Sequence, residues 1–231
     1  NWDNKDIPAV KAALRDNGLK LAAFQGDSGG RMVDRNEHGQ FLDGVKKGLD
    51  IARELGAVNM FLMSDVLQAD DRSVKPMDNP VSDAEKAENS VKMLETIAPL
   101  AEKAGVTALI EPLNTSVDHA GYSLCHTALA VDMLKKVGSP GVRLLYDAYH
   151  MQIMEGNVIA TIRRFNEYFG HFHVADVPGR HEPGTGELNY PNILKELKAS
   201  GYSRLVGFEL DPLQGTSSEI MRKMLADYGG L

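Results

Sequence analysis

Glu111, Asp147, His173 and Glu209 are of types that together can hold a hard divalent cation. Three carboxylates and one imidazole make an oxygen-rich donor set, better suited to Mn²⁺, Mg²⁺ or Co²⁺ than to a metal that prefers thiolate. Carboxylates crowded into one site repel each other, and a bound cation removes that cost. Any one of these residues alone would read as an ordinary salt-bridge or capping partner. Their spacing sets them apart, because each sits toward the C-terminal end of a different short apolar run: Val106–Glu111, Val142–Asp147, His171–Asp176 and Arg204–Leu210.

Two further runs, Leu19–Phe24 and Ala57–Met63, precede these, and all six read as strands buried on both faces. Helical periodicity fills the gaps, with Val45, Leu49, Ala52 and Leu55 on one stripe and Val158, Ile162, Phe165 and Phe169 on another. Gly56, Gly105, Gly138, Gly170 and Gly201 follow helical stretches, where a left-handed cap is expected. Ser82 and Glu85 have capping-box spacing, Pro191 suits a first helical turn, and Pro99 predicts a kink. Such alternation implies a parallel sheet, and no G-x-G-x-x-G follows a strand to mark a dinucleotide site. Polar residues gathered at one end of the strands favour a TIM (β/α)8 barrel, whose sites form there. Ile110, Tyr146, Phe172, Val174 and Phe208 alternate with the polar set and should face the helices. Eight strands are needed and six are visible, so the first two are expected to be missing from this sequence, upstream of a helix over residues 6–17. The whole of 1–231 reads as one N-terminally incomplete domain.

Composition sets the outer bounds. The chain is 43% hydrophobic and 25% charged, as an ordinary globular protein is. A net charge of −7 with interspersed signs argues against nucleic acid, which needs clustered Lys and Arg. No apolar stretch approaches the roughly 18 residues of a membrane span. The single cysteine, Cys125, precludes an intrachain disulfide, so a reducing, cytoplasmic setting is the default expectation. The sequence starts at Asn1 rather than Met, so an upstream targeting signal would lie outside it.

Longer motifs narrow the class. Ile110-Glu111-Pro112-Leu113-Asn114, Tyr146-Asp147-Ala148-Tyr149-His150-Met151-Gln152, His173 through Tyr190 and Gly207-Phe208-Glu209 resemble the hydroxypyruvate isomerase family of the xylose isomerase-like TIM-barrel superfamily. The resemblance implies that Glu111, Asp147, His173 and Glu209 are metal ligands and that Glu111 and Glu209 double as an acid–base pair. It further implies that His150 meets a substrate oxygen and that Arg180 grips the anionic or hydroxyl end. The expected reaction converts a small α-hydroxy carbonyl acid, hydroxypyruvate to tartronate semialdehyde, through an ene-diolate, with a divalent metal and no organic cofactor. The partner is a small molecule, and a homo-oligomer is compatible with the reading.

Other residues carry open alternatives. Glu187 could reach the site, contacting substrate or orienting Arg180, or could cap the helix near Pro191. His171 reads as a core histidine below His173, and His119 and His126 have no evident link to the cluster. Trp2 reads as packing or rim, and the Gly26–Gly39 loop as part of a substrate lid. A ketose 3-epimerase of the tagatose or psicose type would use the same ligands and glutamate pair. His173 leans toward it, because hydroxypyruvate isomerases often carry Gln there. Val117, where those epimerases commonly place a substrate-binding Glu, leans away. A DNA-repair nuclease on the same barrel would need further histidines and a basic face. A barrel that binds a ligand without turnover would not need the intact ligand set.

Overall fold

Short runs rich in Val, Leu, Ile and Phe fold as strands because branched and aromatic side chains pack well on a pleated surface. The computed structural model describes residues 2–26 and 29–229. Its strands are β1 (Ala23–Gln25), β2 (Asn59–Leu62), β3 (Thr107–Ile110), β4 (Val142–Asp147), β5 (Phe169–Val174) and β6 (Val206–Phe208). They lie side by side in chain order, every neighbouring pair parallel. The helices are α1 (Ile7–Asp16), α2 (His38–Leu55), α3 (Asp83–Ala104), α4 (Thr127–Val137), α5 (Ala148–Met154), α6 (Val158–Phe165), α7 (Tyr190–Ala199) and α8 (Ser217–Tyr228). The result is a TIM barrel lacking two strands. Among the described residues β1 pairs only with β2 and β6 only with β5, so the sheet stays open between them.

Local chemistry explains most boundaries. Gly56, Gly105 and Gly138 take left-handed φ and end α2, α3 and α4. Ser82 Oγ accepts from Glu85 N to start α3, which continues as one helix through Pro99. Thr216 and Glu219 form a reciprocal capping box that starts α8. Pro191 sits in the first turn of α7, as expected.

Three sequence expectations need correction. Gly170 is not a helix cap, and Phe169 does not continue the α6 stripe, because both belong to β5. Phe169 stacks on Tyr146 at 4.7 Å, which ties it to the sheet instead. A Cβ on Gly170 would come within 2.4 Å of Leu109 Cδ2, so the neighbouring strands require glycine there. The first strand is shorter than the run that marks it, since Leu19 and Lys20 are exposed and pairing begins at Ala23. Phe208 does face a helix, its ring centroid 6.1 Å from that of Tyr228 in α8, but it stays 39% exposed because β6 borders the open side of the sheet. Ile110, Tyr146, Phe172 and Val174 are buried in the core, as their alternation predicts. Among the described residues no helix is long and apolar enough to cross a membrane.

Candidate active site

Parallel pairing brings the polar strand ends to one level. Asp147 is in register with His173, and His173 with Gly207, so Glu209 stands one pleat further along the same face. Glu111 directly follows β3. One ligand atom from each of Glu111, Asp147, His173 and Glu209 lies within 4.8 Å of the others. His173 Nδ1 is 2.9 Å from Glu209 Oε2, 3.9 Å from Asp147 Oδ2 and 4.0 Å from Glu111 Oε1. Asp147 also caps α5, its Oδ1 accepting from Tyr149 N at 2.8 Å, which leaves Oδ2 facing the cluster.

The donor set fits a divalent metal. Glu111 Oε1 and His173 Nδ1 are buried without a hydrogen-bond partner, since the short approach of His173 to Glu209 lacks the angle for one. A buried polar atom left unpaired costs roughly 1–3 kcal/mol, and a cation at the centre would engage both. Charge is already unevenly shared. Burial pushes the Glu111 carboxyl up to about 8, against the pull of His173. Burial would raise Glu209 as well, but contact with His173 and the Arg180 guanidinium outweigh it and hold Glu209 well below the usual range. Burial opposes the charged form of His173, yet the three carboxylates around it prevail and raise its pKa.

Arg180 reaches the cluster from the loop after β5. Its Nη2 donates to Asp147 Oδ2 and to Glu209 Oε2, both at 2.7 Å, and its guanidinium lies 4.9 Å over the Tyr149 ring. Arg180 Nη1 is 2.8 Å from Nε2 of His150, a buried residue of α5. Thus Arg180 and His150, both expected on the substrate side, adjoin the four candidate ligands. Glu187 does not. It is exposed, accepts from Gln152 Nε2 at 3.2 Å, and leaves the capping of α7 to Asn189.

A family profile described as xylose isomerase-like TIM barrel matches residues 1–226. The chain belongs to that family. A 2-oxo-tetronate isomerase of Cupriavidus necator is 32% identical over 219 residues, covering 90% of this chain and 79% of that protein. A putative hydroxypyruvate isomerase of Homo sapiens is 33% identical over 226 residues, covering 91% of this chain and 77% of that protein. The solved structure of an AP endonuclease, family 2, from Brucella melitensis superposes with a TM-score of 0.86 at 29% identity, covering 97% of this chain and 84% of that one.

Within this xylose isomerase-like fold, several supporting residues escaped the sequence reading. Asp176, fully buried two residues beyond β5, accepts backbone N–H groups from Val177, Gly184, Gly186 and Leu188, each at 2.9 Å. One carboxylate therefore sets the course of the loop that carries Arg180. Asp176→Ala should cost about 3 kcal/mol, because several donors lose a charged acceptor at once. Urea denaturation measures this, and unchanged stability would deny Asp176 that role.

Gly207 was visible only as part of a motif. A Cβ there would lie 2.9 Å from His171 Nε2 and 3.0 Å from His173 Cδ2, so the bare backbone lets β6 lie against both rings. Gly207→Ala should displace His173 and weaken metal affinity by about 10–100-fold. Calorimetric titration with Mn²⁺ measures the change. His171 packs at 4.9 Å under His173, and burial pushes its pKa down to about 4, as suits a neutral core histidine.

His119 departs from expectation. Its ring lies 5.5 Å from that of His150, which links it to the site at one remove. His126 pairs instead with Glu155 at 3.6 Å. Trp2 packs edge-on against Phe24 and donates to Gln25 O at 3.0 Å, which bears out the packing reading. Of the expected lid loop 26–39, Asp27 and Ser28 lie outside the described residues.

Proposed function

We propose that the chain is a metal-dependent isomerase of small α-hydroxy carbonyl acids, with hydroxypyruvate as first candidate and tartronate semialdehyde as product. One observation carries the reading: Glu111 and Glu209 meet in one site with Asp147 and His173, and in the metal-free chain their surroundings push their pKa values in opposite directions. Pairs of titratable groups pushed apart in this way mark acid and base assignments. The names of the two curated relatives support the class, since both denote isomerases of hydroxy-oxo acids.

Glu111, Asp147, His173 and Glu209 would hold the metal, with Mn²⁺, Mg²⁺ or Co²⁺ as the matching ions. When bound, it would supply Lewis-acid polarisation of adjacent carbonyl and hydroxyl oxygens. With both glutamates ionised as ligands, Glu209 takes the C3 proton of hydroxypyruvate, while Glu111 takes the C3 hydroxyl proton and delivers it to C2. Glu209 then returns its proton to the oxygen on C2, so both carboxylates end as they began, the product is an isomer, and no redox partner or organic cofactor is needed. Arg180 offers a guanidinium to the substrate carboxylate, and His150 meets a substrate oxygen. Glu187 takes no part in the step, its carboxylate being exposed and accepting from Gln152. Residues 1–231 act as one domain in this reading.

A ketose 3-epimerase is the second reading, favoured by the histidine at position 173 among the ligands. Incubation with Mn²⁺ in D₂O separates the two, using hydroxypyruvate, 2-oxo-tetronate, tagatose and fructose. Deuterium should enter the hydroxy-oxo acids at the carbon next to the carboxylate. Exchange confined to C3 of the ketoses selects the epimerase, and no exchange in any compound overturns both.

A further inference from the structure

We propose that Asn114 is a positioning residue that holds His150 as its Nε2–H tautomer, making the ring a hydrogen-bond donor to a substrate oxygen. The inference rests on the isomerase reading for the identity of that oxygen, but not for the tautomer itself.

The argument starts from the amide of Asn114. Its Oδ1 accepts from Val117 N at 3.1 Å and from Asp118 N at 2.8 Å, which fixes the orientation of the group. Nδ2 is then turned toward Asp118 Oδ2 at 3.0 Å and His150 Nδ1 at 2.8 Å. The backbone N–H of Asn114 also points to His150 Nδ1, at 3.3 Å. Two donors converge on Nδ1, so that nitrogen must present a lone pair. An imidazole with its lone pair on Nδ1 carries its proton on Nε2, and an imidazolium has no lone pair to offer.

On the far side of the ring the consequence appears as a mismatch. His150 Nε2 stands 2.8 Å from Arg180 Nη1, a donor facing a donor. Neither satisfies the other, whereas one oxygen bearing negative charge could accept from both. The arrangement therefore suits a third party, a carboxylate or developing oxyanion standing to one side of the pair and accepting from both the guanidinium and the imidazole. Asp118 braces both arms: its Oδ2 accepts from Asn114 Nδ2 and, at 2.9 Å, from the hydroxyl of Tyr149, whose ring lies under Arg180.

Long-range ¹H–¹⁵N spectra of the ¹⁵N-histidine-labelled full chain test this, with His150→Gln identifying the signal. The wild-type ring should show a protonated Nε2 and an unprotonated Nδ1. Mg²⁺ with tartronate, a non-isomerising hydroxy dicarboxylate, should move the Nε2 proton downfield. Asn114→Asp places an acceptor against Nδ1, should transfer the proton there, and should lower kcat about 100-fold, as loss of an oxyanion donor does. A wild-type Nδ1–H tautomer overturns the proposal without recourse to any variant. So does an Asn114→Asp protein that keeps its tautomer, or one that switches tautomer and keeps its turnover. A correct tautomer that responds to tartronate in a protein inactive on every substrate would instead count against the isomerase reading alone.

Discussion

Glu111→Gln and Glu209→Gln should each reduce deuterium exchange into substrate by about 10²–10⁴-fold, the span expected for removal of a general acid or base. Glutamine keeps the length of the side chain and one oxygen able to ligate, so the amide removes proton transfer more completely than it removes the metal site. The two variants should differ in stability. Glu111 is buried and favours its neutral form, so Gln there mimics the metal-free state and should be tolerated. Glu209 is half-exposed and pairs with both Arg180 and His173, so its amide leaves those two cations less well compensated. NMR of exchange at a single carbon, alongside calorimetric Mn²⁺ binding, separates the effects. Parental exchange by either variant would refute the acid–base assignment.

Metal uptake should release protons and should strengthen with pH. In the absence of metal, Glu111 holds a proton up to about pH 8, and the raised pKa of His173 favours its imidazolium. Both must deprotonate to ligate, so apparent affinity should climb about tenfold per pH unit for each proton displaced. It should level once Glu111 is ionised. The stability of the metal-free protein should run the other way. Unfolded Glu111 gives up its proton near 4.5 while the folded chain retains it to about 8, so stability from this group is complete below the lower value and lost as pH rises through the upper one. His173 acts in the same direction, because its folded pKa is also raised. Glu209, with its lowered pKa, contributes oppositely and only at acid pH. Melting temperatures across pH 5–8, with and without Mn²⁺, should therefore diverge, and a metal-induced rise that shrinks with pH would contradict the site.

The four candidate ligands were legible because each stands at the C-terminal end of its own strand, and parallel register alone then brings them together. Helix ends were legible where one glycine or capping side chain decides the matter, as at Gly56, Gly105 and Ser82. Errors fell where a neighbouring strand decides instead. Phe169 fits a helical stripe by spacing, yet the stack on Tyr146 draws it into β5. Gly170 resembles a cap until Leu109 and Arg143 are seen to crowd it. Phe208 faces α8 as its alternation predicts, yet it stays part-exposed because no strand lies beyond β6 among the described residues. Asn114, Asp118 and Asp176 were missed because their roles lie in contacts to backbone and side chains outside any period. The link from Asn114 to His150 spans 36 residues and exists only once β3 and β4 are paired.

The four amide hydrogens gathered by Asp176 have an evolutionary corollary. The loop is framed from within by a residue that no solute touches, while Thr185 and Glu187 occupy exposed positions on it. A lineage can therefore rewrite those exposed letters one at a time while the frame beneath keeps its shape and Arg180 keeps its place.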